Sequence, residues 1–207
     1  MSRLDKRRQF ELANWAVEHL HNPKAVQPED WPDACRLRTN GVLPIFSGEY
    51  APGLTGLYAI LNGLRLLVAE VAPLKPSDEQ MLLEAGCNFM RGREAITPHR
   101  GIRSHMLIRV AEAMAFALVR RRGDWILSEP VRLLGPCPVG SHALLERTVL
   151  AKRVALVLLG RGHYSVLRGY TSASWLLFDA TGRQWMLRRR NRQDAALRPI
   201  LILSRGY

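Results

Sequence analysis

Apolar residues recur at helical spacing through most of the first 123 positions of this 207-residue chain, and then the pattern changes. Phe10, Leu12, Ala13, Ala16, Val17 and Leu20 line one side of residues 4–21 with charges on the other, which predicts an amphipathic opening helix. Prolines at 23, 28, 32, 44 and 52 then predict loops and short extended pieces. A second helix is expected over 54–71, ended by Pro73 and Pro76, and a third runs through Met90 with Ser77 as its N-cap. After a loop over 92–101, Leu107, Ile108, Val110, Ala111, Met114, Ala115 and Leu118 predict a buried helix over 102–121. Its end, Arg120, Arg121, Arg122 and Gly123, sets cations at the negative pole of the helix dipole and glycine at the stop.

Beyond Gly123 the periodicity shortens. Residues 125–134 alternate irregularly around Pro130, and 141–152 form one more helix. The continuous run Val154 to Leu159 suits a strand covered on both faces. Residues 163–170, 174–179 and 184–188 follow as short segments broken by turn residues, the pattern of an antiparallel meander. A closing strand over 199–204 would carry Pro199 as its first residue, where a missing amide is tolerated. Helices first and sheet second predict an α+β fold, and a hydrophobic content of 47% over this length predicts one domain, mainly helical over 1–123 and mainly β over 124–207.

Charge changes the picture less than its size suggests. The net charge of +12 would favour nucleic acid, acidic proteins or anionic lipid surfaces. Only Lys6, Lys24, Lys75 and Lys152 are lysines, however, so the excess is almost all arginine, which a GC-rich genome supplies without selection for binding. The run from Arg188 to Gln193 reads as a solvated loop, with a basic binding loop as the sharper alternative. Cys35, Cys87 and Cys137 are widely spaced, which signals neither a zinc site nor a disulfide framework and fits reduced thiols in a cytoplasmic protein. No signal-peptide pattern opens the chain, and no apolar run approaches the roughly 20 residues of a membrane-spanning helix. Neither a metal nor an organic cofactor is expected: His19 and His21 lack companions for a metal, and no phosphate-cradling glycine loop is present.

Three segments carry the candidate chemistry. Gly53-Leu54-Thr55-Gly56-Leu57-Tyr58-Ala59-Ile60-Leu61-Asn62 opens a helix, whose first-turn amides and dipole favour negative charge. Gly160-Arg161-Gly162-His163-Tyr164 leads into a strand, and Trp175-Leu176-Leu177-Phe178-Asp179 forms the next one, so a short turn would set His163 and Asp179 side by side. Structure alone also accounts for these residues, with Thr55 as a helix cap and His163 as a strand histidine held by a carboxylate. Cys137, between prolines, reads as a loop thiol, and Cys87, near a helix C-terminus, as a buried or idle one.

Taken in order, the three segments resemble the papain-like cysteine peptidase superfamily, closest to the bacterial bacteriocin-processing peptidase domains. The resemblance covers about fifteen residues around Thr55 and about twenty from Gly160 to Gly182. It implies that Thr55 stands where the family has its nucleophilic cysteine, that His163 is the base, that Asp179 orients it, and that Glu49 replaces the glutamine donating to the oxyanion. Both departures oppose thiol chemistry. A hydroxyl is a far weaker nucleophile than a thiol at neutral pH, and an ionised Glu49 would repel the oxyanion. The resemblance therefore implies a pseudoenzyme that holds a peptide or acidic partner protein in the former cleft. A hydrolase or acyltransferase built on Thr55, His163 and Asp179 is the alternative, and an arginine-based nucleic-acid binder the second.

Overall fold

The computed structural model describes residues 35–37, 40–45, 54–91, 96–97, 101–122, 132–133, 141–159, 163–171, 174–179, 186–189 and 198–204. The expected opening helix, most of 125–134 and the end of the Arg188 to Gln193 run lie outside them.

Four helices stand among the described residues. The first, α1 (Thr55–Val68), is buried at every position except Tyr58 and Arg65, as expected of a helix that is apolar nearly all round. It is shorter than the sequence pattern predicts. Past Val68 the chain tightens into turns, with the amides of Val71 and Ala72 both reaching the Val68 carbonyl ahead of Pro73.

Helix α2 (Pro76–Met90) begins with proline at its first position, where the missing amide costs nothing. Its cap is a correction. Lys75, not Ser77, is the N-cap residue, and the Asp78 carboxylate accepts from the Lys75 amide at 3.0 Å. Helix α3 (Ser104–Arg122) starts two residues later than expected, because Gly101–Ile102 (β3) pairs with Ile96–Thr97 (β2) instead. The cations at its end do more than face the dipole: Arg122 pairs with Asp78 and donates to the Pro73 carbonyl at 3.0 Å, tying α3 to the α1–α2 turn. Helix α4 (Ser141–Leu150) stops before Lys152, which turns the chain at φ 54°.

Among the described residues the main sheet has seven strands, all antiparallel: β1 (Cys35–Arg36), β4 (Arg132–Leu133), β5 (Val154–Leu158), β6 (Tyr164–Tyr170), β7 (Ser174–Phe178), β8 (Met186–Arg189) and β9 (Arg198–Leu203). Their order is β4-β9-β5-β6-β7-β8, and β1 pairs with the far half of β6. Strands β5 to β8 form the meander read from the sequence. Strand β9 lies between β4 and β5, and it departs from expectation in that Pro199 is its second residue, not its first. The register shifts there, from Leu156 opposite Leu201 to Val157 opposite Pro199, so an irregularity absorbs the residue that cannot donate.

Both faces of this α+β sheet are covered. On one, α1 lies so close that a Cβ on Gly63 would meet Leu156 and Leu203 at 3.0 Å, so only glycine fits without a shift. Val166 shares that face through its pairing with Leu156, which turns Leu167 and its partner Leu177 to the other. Trp175, two residues before Leu177 on β7, shares its face and meets the His142 ring edge-on at 5.2 Å, so α4 covers the second face. Buried Val154, Ala155, Leu156 and Val157 thus lose water on both sides, worth about 1.5–3 kcal/mol for each large side chain. Among the described residues no helix is long and apolar enough to cross a membrane.

Residues 40–45 run antiparallel along α1. The Asn40 side chain donates to the Ala69 carbonyl, Arg65 to that of Leu43, and fully buried Asn62 both donates to the Ile45 carbonyl and accepts from its amide, each at 2.8 Å. Asn62 therefore supplies what a neighbouring strand would supply, and the polar residue in an apolar helix is satisfied.

Candidate functional site

The hairpin β5–β6 and strand β7 set His163 and Asp179 next to one another. The His163 carbonyl accepts the Leu159 amide at 2.9 Å, which closes the hairpin and fixes the backbone just before β6. Val166 pairs with Phe178, so one further step along the ladder sets Ser165 opposite Asp179, with His163 two residues on in the diagonal position. The imidazole Nε2 lies 3.2 Å from Asp179 Oδ1 and 3.3 Å from Oδ2.

Their exposures differ. The Asp179 side chain is 0% exposed and that of His163 26% exposed, so the carboxylate is an interior group and the imidazole reaches solvent. An ionised carboxylate only accepts, so opposite one Nε2 carries the proton and Nδ1 of a neutral ring keeps the lone pair. That arrangement can orient an imidazole and leave one nitrogen to take a proton.

Thr55 is the first residue of α1 and only 8% exposed. It is not the cap expected as one reading of the sequence, because the N-cap position belongs to Leu54. Leu54 has no side-chain acceptor and the first turn no acidic residue, so nothing in that turn opposes an anion at the helix's positive end. Glu49 lies outside the described residues.

Helix and sheet meet at the residues following Thr55 and His163. A Cβ on Gly56 would come within 3.2 Å of Tyr164 Cδ2 and 2.8 Å of Leu107 Cδ1, so the absence of a side chain lets the start of α1 lie against the tyrosine ring. Tyr164 is itself buried, and its hydroxyl donates to the Ile102 carbonyl at 2.7 Å. With that proton committed, Ser104 Oγ at 3.2 Å is the donor to the phenol oxygen. Burial pushes the Tyr164 pKa above its ordinary value, only partly offset by the Ser104 bond, so the phenol stays neutral. Gly56, Ser104 and Tyr164 are the site neighbours that the sequence reading did not single out. Gly56 and Tyr164 each directly follow a candidate residue, which was the available signal; Ser104 offered none.

Other candidates fall away or lie elsewhere. Cys87 is exposed on α2, which removes the buried half of the expectation of a buried or idle thiol, and Cys137, His19 and His21 lie outside the described residues. No family model matches this chain, and no curated protein is significantly similar to it in sequence.

Proposed function

We propose that the chain is a catalytically degenerate papain-like domain that holds an extended peptide, or an acidic segment of a partner protein, in the cleft between the start of α1 and the β6–β7 edge. The contact between His163 and Asp179 carries this reading, because a solvent-reaching imidazole held by a wholly buried carboxylate is the part of a peptidase site that outlasts loss of the nucleophile. Thr55 supports the degenerate form: a hydroxyl at the first position of α1 is a far weaker nucleophile than a thiol, and its methyl adds bulk where a thiol would stand. The charge of +12 would steer acidic segments toward the molecule, an attraction that salt weakens.

The same His163 and Asp179 pair would serve a hydrolase or acyltransferase with Thr55 as nucleophile. Fluorescence anisotropy with a panel of acidic and neutral peptides, followed by mass spectrometry of the recovered peptides, separates the two. Salt-sensitive binding with every peptide returned intact fits the degenerate domain. Cleavage or acyl transfer that disappears in Thr55→Ala would establish the enzyme instead. Affinity for nucleic acid that survives while no peptide binds would favour the arginine-based alternative.

A further inference from the structure

We propose that Tyr164 is a positioning residue for His163, acting with Ser104 to hold the β6 strand start at one fixed distance from α1 and thereby to keep the imidazole in one orientation; this rests on the proposed reading of the site. Three contacts converge on this one side chain. Its ring abuts Gly56 at the first turn of α1. Its hydroxyl donates at 2.7 Å to the carbonyl of Ile102, the last residue of β3, and takes a second bond from Ser104, the first residue of α3. Tyr164 is also joined by one peptide bond to His163, whose carbonyl is held from the other side by the Leu159 amide.

The geometry leaves little freedom. A tyrosine pinned at its ring and at both hydrogen-bonding valences of its hydroxyl fixes where β6 begins, and the preceding residue inherits that placement. Without the phenol bonds the ring could still fill its space, yet the strand start could slide against α1 and α3. The imidazole would then no longer be confined to the one pose that gives Nε2 to Asp179.

The test is the neutral imidazole's tautomer, read from two-bond ¹H–¹⁵N correlations of histidine-labelled protein, with the His163 signals assigned by their loss in His163→Gln. Wild type should show the Nε2–H form almost alone. In Tyr164→Phe, which keeps the ring, and in Ser104→Ala, the ratio of the Nδ1–H to the Nε2–H form should rise about fivefold, the change that losing roughly one net hydrogen bond produces. Ser104→Thr, which keeps a hydroxyl, should restore the wild-type ratio. Variants that melt earlier but retain the wild-type ratio would overturn the positioning role and leave Tyr164 a packing residue. A wild-type ring already divided between the two tautomers would instead overturn the reading of the His163 and Asp179 pair, and the positioning role with it.

Discussion

His163 and Asp179 stand 16 residues apart in the chain, yet Nε2 of one lies 3.2 Å from Oδ1 of the other, with the carboxylate fully buried. The pair joins the end of one hairpin to the end of the next strand, so it is a structural bond as well as a candidate site.

Removing the imidazole should therefore cost stability. His163→Ala takes a donor from a buried carboxylate and is expected to lose about 1–3 kcal/mol. His163→Gln, whose amide can still donate to Asp179, should recover part of that loss. Urea unfolding of the two variants at neutral pH checks the difference.

Acid should unfold the protein partly through Asp78. Burial raises its pKa, but the bond from the Lys75 amide and the pairing with Arg122 and Arg121 outweigh this and hold it below the ordinary value. A group lowered on folding contributes stability that is present above its unfolded pKa of about 3.9 and is lost as pH falls through the lower, folded value. Asp78→Asn should be less stable than wild type at neutral pH, and the gap should narrow as pH falls through that range, read by thermal melts across a pH series.

The sequence made the local parts of this account legible and left the rest dark for a physical reason. Thr55 at a helix start, the buried strand from Val154, and His163 and Asp179 at adjacent strand ends all follow from short-range periodicity and turn residues. Partners set by tertiary packing left no such trace. Tyr164 meets Ile102 and Ser104 from about sixty positions away, and nothing near Asn62 announces that it will hold Ile45. Pro199 misled because a proline suggests a strand's first position, whereas a register shift accommodates it inside the sheet. Ser77 misled because serine is a common cap, while Pro76 and Asp78 had already fixed the helix start two residues earlier.

Asn62→Leu should be among the more damaging single changes in the core. It leaves both the amide and the carbonyl of Ile45 without the partner they have in the native fold, for an expected loss of roughly 2–4 kcal/mol. Asn62→Ala should fall in the same range, which would assign the cost to hydrogen bonds rather than to side-chain bulk. Denaturant midpoints of both variants provide the comparison.

Gly56→Ala tests the close approach of α1 to β6. The added methyl would lie 2.8 Å from Leu107 Cδ1, and 3.2 Å and 3.3 Å from carbons of Tyr164 and Ile102, so overpacking of about 1–3 kcal/mol is expected. For a chain of this size each kcal/mol lowers Tm by about 2–4 °C, which calorimetry resolves.

Under the proposed function, the start of α1 and His163 face one cleft that has lost its nucleophile. That arrangement is tested most directly by restoring a thiol in Thr55→Cys, with and without Glu49→Gln, and measuring labelling by an electrophilic peptide probe site by site with mass spectrometry. Exposed Cys87 serves as the internal reference. The thiol at position 55 should react at neutral pH about tenfold faster than Cys87 or more, Glu49→Gln should increase the rate, and His163→Ala should abolish the advantage. A thiol at position 55 no faster than Cys87, or one indifferent to His163→Ala, would contradict that arrangement.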